Sequence, residues 1–200
     1  ATVRHHSALP WQELPAFMAE ISGREGLAFR AMELTILTAA RTSEALNARW
    51  EEFDLITNMW TIPVERMKAG KAHRIPLVPE VIALINRLRP LANSGPFLFP
   101  GERQGRPLSN MSMLMGLRRM NRADLTMHGF RSCFRDWAAE ATAHPREVAE
   151  HALAHVVSNS AEAAYFRSDL FAKRRALMED WAKFATQSSD QTSAPGSQLF

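Results

Sequence analysis

The sequence contains a single cysteine, Cys133, among its 200 residues. One cysteine excludes an intrachain disulfide and disfavours a zinc site built from thiolates, and both absences are typical of a reducing compartment. Long apolar runs are also missing, because no stretch approaches the ~20 residues needed to cross a bilayer. The first residues do not have the basic and then apolar order of a signal peptide. We therefore expect a soluble, cytoplasmic protein without a membrane partner.

The remaining composition is that of a folded domain with a small excess of positive charge. Hydrophobic residues make up 46% of the chain, which is enough for a sizeable core and excludes a disordered or collagen-like protein. Lys and Arg number 24 against 21 Asp and Glu. The resulting formal charge of +3 is compatible with a polyanionic partner but does not identify one. No internal repeat is visible.

Helical periodicity dominates the chain and predicts a mainly helical protein with a little strand. Met59–Ile62 and Arg74–Leu77 read as strands on either side of a polar stretch, and we predict an antiparallel hairpin whose tip carries Lys68 and Lys71. Residues 90–109 are predicted to be rich in loops. The predicted helices span 27–39, a short segment through 44–46, 79–89, 110–120, 127–141, 145–153, a short stretch around 165, and 169–185.

Local signals refine these helices. A broadly apolar pattern predicts that helix 27–39 is mostly buried. Thr42 or Ser43 is predicted to cap the next helix, which places Arg41 in the junction between the two. Thr126 is predicted to cap a helix whose aromatic residues share one side, and the cysteine on that helix is interpreted as a small core residue. Four methionines on the helix at 110–120 are interpreted as adaptable core filler: Met111, Met113, Met115 and Met120.

The side chains that could perform chemistry are spread along the sequence. His128 and Arg131 lie three apart on one helix and are therefore neighbours on its surface. Tyr165 is the only tyrosine, and its hydroxyl, with a pKa of about 10, is a poor nucleophile unless cations surround the group that it attacks. Arg41 and Lys68 are candidate cations. Each signal is weak by itself, since a solvated helix face or a tyrosine at the edge of the core would give the same pattern.

The order of these motifs resembles the catalytic domain of the tyrosine recombinases, the phage integrase family. The resemblance covers about residues 8–185, and the local sequence around the motifs is most similar to that of bacterial prophage and genomic-island integrases. It implies an α+β, mainly α-helical fold of the DNA breaking-rejoining enzymes, with a small antiparallel β-sheet beside the cleft. The segments that carry it are Ala40-Arg41-Thr42-Ser43-Glu44, the lysine hairpin through Ile75-Pro76-Leu77, Thr126-Met127-His128-Gly129-Phe130-Arg131, Leu153-Ala154-His155 and Ala164-Tyr165.

The resemblance implies a role for each of these residues in cleaving DNA. Tyr165 would attack the phosphate, leaving a 3′-phosphotyrosyl link and a free 5′ hydroxyl. Arg41 and Arg131 would hold the non-bridging oxygens, on which negative charge grows. Lys68 would protonate the departing 5′ oxygen, and Lys71 is the alternative donor.

Histidines and a glutamate complete the implied site. His128 would assist proton traffic around the tyrosine, His155 would hydrogen-bond a non-bridging oxygen, and Glu44 would support the first arginine. His151 is the alternative to His155, because the two lie about one helical turn apart. The spacing of this pair also suits zinc, but no third ligand stands out. The implied chemistry requires neither a metal nor a nucleotide cofactor.

Further contacts with DNA are expected outside the catalytic residues. Arg118, Arg119 and Arg122 form a basic helix face, which is either a phosphate-tracking surface or plain solvated surface. Lys71 and His73 are the other expected DNA contacts. The histidines outside the implied catalytic set and its alternative are interpreted as surface or loop residues: His5, His6, His73 and His144.

The implied function is site-specific recombination of double-stranded DNA attachment sites, as in the integration or excision of a prophage or genomic island. Two alternatives stay open: type IB topoisomerase-like relaxation of DNA, and a non-catalytic DNA-binding module in which Tyr165 is structural. The resemblance implies a homotetramer on DNA and a monomer without it. It further implies an accessory DNA-bending protein, association with the bacterial nucleoid, and exchange of the segment from Leu170 onward between protomers.

The predicted domain organisation is simple. Residues 1–186 are predicted to form one integrase catalytic domain, in which 1–9 are a linker from an N-terminal DNA-binding region outside this sequence. This expectation follows from the missing initiator methionine and the polar, proline-containing start. Residues 187–200 are polar and low in complexity, and we predict a flexible C-terminal tail.

Overall fold

The computed structural model describes residues 8–68, 70–155 and 169–188. Helices make up most of these ranges, and a three-stranded antiparallel sheet accompanies them. This is the mainly helical α+β architecture that the sequence predicts. The α-helices are α1 (Leu14–Ser22), α2 (Leu27–Thr38), α3 (Thr42–Leu46), α4 (Pro79–Leu88), α5 (Ser112–Arg119), α6 (Met127–Ala141), α7 (Arg146–Ala152) and α8 (Phe171–Thr186), and the strands are β1 (Phe53–Asp54), β2 (Met59–Ile62) and β3 (His73–Pro76).

α2 is the central helix, and it contacts α1, α3, α4, α5, α6 and α8. Every residue from Ala31 to Thr38 is buried, because neighbours pack on all sides of the helix. The buried hydroxyls of Thr35 and Thr38 donate to carbonyl oxygens one turn earlier, at 2.7 and 2.6 Å, and so avoid an unpaired polar group. The predicted burial of this helix is confirmed.

α1 was absent from the sequence predictions. Its buried residues include Leu14, Phe17, Met18 and Ile21, which follow the i, i+3, i+4, i+7 spacing of an amphipathic helix. Pro15 lies in the first turn, where its missing N–H is no loss. The apolar signal was therefore present in a helix of only nine residues.

The sheet has the order β1-β2-β3, and both pairings are antiparallel. Trp60 on β2 lies opposite Phe53 and Ile75, and it is fully buried. The predicted hairpin is confirmed as β2 and β3, whose connection carries Lys68 and Lys71. The two-residue strand β1 is too short for an alternating pattern to predict.

α6 and α8 form an aromatic cluster at one side of α2. Thr126 caps α6 as predicted, since its Oγ1 accepts a hydrogen bond from the Gly129 N–H at 3.1 Å. Trp137 on α6 lies 5.0 Å from Trp181 on α8, measured between ring centroids. Trp181 Nε1 donates to the Ile36 carbonyl at 2.8 Å, which fixes α8 to α2 of the same chain.

The observed helix bounds differ from the predicted ones by a few residues. The helix predicted at 110–120 is shorter, as α5, and the helix predicted at 169–185 is shifted towards the C-terminus, as α8. No helix within the three described ranges is long and apolar enough to cross a bilayer. The predicted helical stretch around 165 and the predicted tail beyond 188 lie outside the described residues.

The prediction for the methionines is half wrong. Met113 and Met120 are buried, but the side chains of Met111 and Met115 are 49% and 41% exposed. Met111 precedes the first residue of α5, and Met115 lies on the solvent side of that short helix. Cys133 is buried as expected, and burial raises the pKa of its thiol to about 12, which makes it unreactive at neutral pH.

Candidate functional site

Arg41 lies at the junction of α2 and α3, where it occupies the N-cap position predicted for Thr42 or Ser43. The capping group is instead the Glu44 carboxylate, which accepts from the Arg41 backbone N–H at 2.8 Å. The other carboxylate oxygen accepts from Arg41 Nη1 at 2.7 Å. Glu44 is 4% exposed, so a buried negative charge fixes both the backbone and the side chain of Arg41.

Arg131 is buried on α6, three residues after His128. Its guanidinium donates to the carbonyl of Ala39 and, at 2.6 Å, to the carbonyl of Leu153. These acceptors lie at the α2–α3 junction and just beyond α7. The guanidinium therefore joins three elements that are distant in sequence.

The two guanidiniums converge on consecutive backbone carbonyls. Arg131 bonds Leu153, and Arg41 Nη2 donates to Ala154 at 3.1 Å. Burial, and next the positive charge of Arg41, lower the pKa of Arg131 to about 10. The side chain remains a cation at pH 7, and two like charges are held at one place.

The end of α7 explains why these carbonyls are available. The His155 N–H donates to the Glu150 carbonyl, and the Ala154 N–H donates to the His151 carbonyl, at 3.0 and 3.1 Å. Together with the left-handed Ala154, at φ 49°, these bonds form a Schellman motif. The chain reverses there and leaves the Leu153 and Ala154 carbonyls for the two arginines.

His155 follows this turn and contacts Arg131. Its Nε2 lies 3.3 Å from Arg131 Nη2, and its Nδ1 lies 2.6 Å from Glu150 Oε2. The carboxylate favours a proton on Nδ1, which orients the ring. Both ring nitrogens are thus engaged, which disfavours the shared zinc site with His151. Of the two alternatives, the structure brings His155 to the arginines.

Glu150 is a site residue that the sequence predictions missed. Its Oε1 is buried and has no hydrogen-bond partner among the described residues, whereas its Oε2 holds His155. Its position five residues before His155 is not a helical contact spacing, and only the Schellman reversal brings the two side chains together.

His73 was predicted to be a surface or loop residue, and this is wrong. It is the first residue of β3 and is half-buried. Burial, and next the charge of Arg174, lower the pKa of its imidazole to about 4, although Glu44 and a hydrogen bond with the Ala152 backbone oppose the shift. His73 is therefore neutral at pH 7. His144 is also held, since its Nε2 lies 2.8 Å from the Asp180 carboxylate.

The two lysines, unlike the two arginines, are not fixed by contacts with described residues. Lys68 and Lys71 are exposed in the connection between β2 and β3. Neither forms a hydrogen bond or ion pair with a residue of the described ranges. The structure does not bring Lys68 into contact with the two arginines. Tyr165 lies outside the described residues.

The remaining predicted residues lie on the surface. His128 is exposed in the first turn of α6. Arg118 and Arg119 are exposed at the end of α5, which agrees with the predicted basic face. Arg122 is less available, because its guanidinium pairs with Asp124 at 3.2 Å. Among the described residues, no group of three or more His, Cys, Asp or Glu side chains is arranged to hold a metal ion.

This arrangement can bind a phosphate-sized anion. Two fixed guanidiniums and an imidazole meet at one place, and each guanidinium has five donors, of which the protein uses only some. Donors that are already oriented stabilise developing negative charge better than donors that must be recruited.

Comparison with known proteins places the chain among integrases. The family model described as "Phage integrase family" matches residues 9–170. The chain is 36% identical over 149 residues to Prophage integrase IntA of Escherichia coli (strain K12), covering 74% of this chain and 36% of that protein. It is 30% identical over 200 residues to the Integrase of Enterobacteria phage P4, covering 90% of this chain and 46% of that protein. The chain thus spans less than half the length of these relatives.

Solved structures show the same fold. A lambda integrase dimer bound to a COC′ core site matches with a TM-score of 0.59 and 19% identity, over 84% of this chain and 62% of that one. The Tn1549 transposon integrase in complex with transposon right end DNA matches with a TM-score of 0.62 and 16% identity, over 90% and 68%.

Proposed function

Because this chain belongs to the phage integrase family, we propose that it carries out site-specific recombination of double-stranded DNA. The convergence of Arg41 and Arg131 on the Leu153 and Ala154 carbonyls carries the proposal. Two guanidiniums at one place are costly without an anion, since like charges repel. A DNA phosphate matches the charge and the forked geometry of both.

The proposed reaction exchanges one phosphate ester for another. The Tyr165 oxygen attacks the phosphorus, the bond to the 5′ oxygen breaks, and a 3′-phosphotyrosyl link forms. Arg41 and Arg131 neutralise the charge that grows on the non-bridging oxygens. The ester bond is conserved, so that a 5′ hydroxyl from another strand can reverse the reaction.

Two protons move in this step. The tyrosine hydroxyl loses its proton, with His128 assisting, and the departing 5′ oxygen gains one from Lys68 or Lys71. His155 donates a hydrogen bond to a non-bridging oxygen once its Nε2 has left Arg131 and carries a proton. Glu150 keeps the imidazole in place during this exchange.

DNA is proposed to extend from this site over the basic residues. Arg118 and Arg119 are exposed and are the stronger candidates for phosphate contacts. Arg122 must share its charge with Asp124, and His73 is neutral at pH 7, so we expect weaker contributions from both. Lys71 stays a proposed contact.

The proposed partners extend beyond one DNA duplex. A lambda integrase structure is a tetramer bound to a Holliday junction, which supports a homotetramer of this chain on its attachment sites. A monomer in the absence of DNA, an accessory DNA-bending protein and association with the nucleoid stay predictions. The single catalytic domain over residues 1–186, with a linker at 1–9 and a tail at 187–200, is also proposed.

Covalent trapping tests the proposed reaction. A library of nicked duplexes with a randomised core is incubated with the chain, and adducts that survive denaturation are isolated and sequenced. We expect adducts that map to the peptide containing Tyr165 and share a core sequence. The Tyr165→Phe variant should form none, and the Tyr165→Phe/Phe166→Tyr double variant, which moves the hydroxyl by one residue, is the matched control.

The outcomes separate the alternatives. Joining of trapped strands to a second duplex supports recombination, whereas relaxation of one plasmid without joining supports the topoisomerase-like reaction. Binding of DNA without any adduct supports a non-catalytic module and contradicts the proposal.

A further inference from the structure

The loop between β2 and β3 has an anchor just before its first lysine. Arg66 ends a short 3₁₀ turn, Val64–Arg66, and lies two residues before Lys68. Its Nη1 pairs with the Glu52 carboxylate, and its Nη2 donates to the backbone carbonyl of Glu44. The next residue, Met67, is buried at 6% exposure. The loop is therefore fixed at its base, whereas Lys68 itself is exposed.

Glu52 is a rigid partner for this anchor. It is 8% exposed, and its Oε2 accepts from Trp60 Nε1 at 3.0 Å and from the Arg49 N–H at 3.3 Å. Trp60 is the fully buried residue at the centre of the sheet. Arg66 is thus attached to the core through a carboxylate that cannot easily move.

Glu44 connects the same anchor to the arginines. Its carboxylate holds the backbone and side chain of Arg41, while its carbonyl accepts from Arg66. Glu44 therefore contacts both Arg41, a proposed phosphate-binding cation, and Arg66, at the base of the loop that carries the proposed proton donor, Lys68. Two residues of extended chain span at most ~7 Å, so the position of Arg66 restricts that of Lys68.

We propose that Arg66 is a positioning residue, which sets the place of Lys68 relative to the phosphate held by Arg41. The inference rests on the proposed function and adds to it the structural link between the proton donor and the phosphate site. Loss of the link leaves the buried Glu52 charge unpaired and frees the base of the loop. A displacement of about 1 Å is enough to cost about 100-fold in rate. Arg66→Lys keeps the charge but removes the planar fork whose two nitrogens make the two contacts.

A change of leaving group isolates this role. Cleavage is measured in single turnover on a duplex identified by covalent trapping. The same duplex is prepared with the normal bridging 5′ oxygen at the scissile phosphate and with sulfur in place of that oxygen. A thiolate leaves without protonation, so a defect in proton donation disappears on the sulfur substrate. We expect Arg66→Lys to slow the oxygen substrate by about 10- to 100-fold and the sulfur substrate by less than about threefold.

Three variants calibrate the measurement. Lys68→Ala should show the same rescue with a larger loss on oxygen, about 100-fold or more. Glu52→Gln weakens the anchor from the other side and should follow Arg66→Lys. Arg87→Lys is the matched control. Arg87 lies on α4, outside the loop, and also pairs with a buried glutamate, Glu33, at 3.4 Å. It should stay within about twofold of wild type on both substrates.

The results that overturn the inference are distinct from those that overturn the function. If Arg66→Lys and Glu52→Gln slow cleavage of both substrates equally, the variants damage the structure in general and the inference is wrong. If they slow cleavage of neither substrate, the contact between Arg66 and Glu52 does not affect catalysis and the inference is also wrong. If the sulfur substrate restores cleavage by Lys71→Ala and not by Lys68→Ala, the inference is also wrong. If wild type cleaves neither substrate, the proposed function itself fails, and the positioning role with it.

Discussion

The two proposed halves of the site are held in opposite ways. At the arginine end, Arg131 is buried and bonds the backbone at two places, and Arg41 is fixed by the buried Glu44. In the hairpin loop, Lys68 is exposed and makes no hydrogen bond or ion pair with a described residue. The groups that must stabilise charge are oriented in advance, because reorienting them during the reaction would cost free energy. The proposed proton donor is fixed only at the base of its loop, through Arg66, and its ammonium lies on a flexible stem.

This contrast makes Arg131 the most sensitive position. Arg131→Ala should lower the single-turnover cleavage rate by at least about 1,000-fold, because it removes oriented donors from the phosphate. It should also lower the free energy of unfolding by about 1 to 3 kcal/mol, since the Ala39 and Leu153 carbonyls lose their donor. Both are measured on the same protein, by cleavage and by urea unfolding.

Arg135→Ala is the control for this prediction. Arg135 lies on the same helix and is exposed, so both measurements should remain near wild type. An Arg131→Ala protein that cleaves DNA at the wild-type rate would mean that the buried guanidinium is purely structural.

Glu150 tests how far the rigid end extends. Glu150→Gln keeps the shape of the side chain but weakens its charged hydrogen bond with His155. We expect cleavage to fall by about tenfold with unchanged DNA affinity, measured by single turnover and by titration with labelled duplex. Glu147→Gln, one turn earlier on α7, should have little effect. Equal losses in the two variants would remove Glu150 from the site.

His73, the first residue of β3, gives the smallest expected effect. Its pKa is about 4 in the folded chain against 6.5 for a free imidazole, so the unfolded chain binds the proton more readily between these values. Stability contributed by His73 is therefore present above pH 6.5 and is lost as the pH falls towards 4. Wild type should lose about 2 kcal/mol more than His73→Asn between pH 7 and pH 5, measured by urea unfolding. Equal losses would show that folding does not lower the pKa of the His73 ring.

Much of the fold was predictable because its signals are local. Thr126 caps α6 as its sequence predicts, and the hairpin of β2 and β3 follows from two alternating runs. The α2–α3 junction around Arg41 was also predicted, but the N-cap was misplaced by one or two residues, because Glu44 does the capping in place of a hydroxyl.

The residues that support the site were not predictable in the same way. Glu150 reaches His155 only through the left-handed turn at Ala154, and Arg66 reaches Glu44 across 22 positions of sequence. Half-burial of His73 depends on packing against helices from other parts of the chain. Such contacts have no periodic signature, since tertiary structure alone creates them.

The claim that Arg41 and Arg131 together hold one phosphate has a direct chemical test. Replacing a non-bridging oxygen of the scissile phosphate with a methyl group removes the negative charge that the guanidiniums would neutralise. The rates of wild type and of the Arg41→Ala and Arg131→Ala variants are compared on the two substrates. On phosphate, wild type should cleave much faster than either variant. On the neutral methylphosphonate, the ratio of the wild-type rate to each variant's rate should fall to about tenfold or less. An advantage that stays the same on both substrates would show that the two arginines do not act on the phosphate charge.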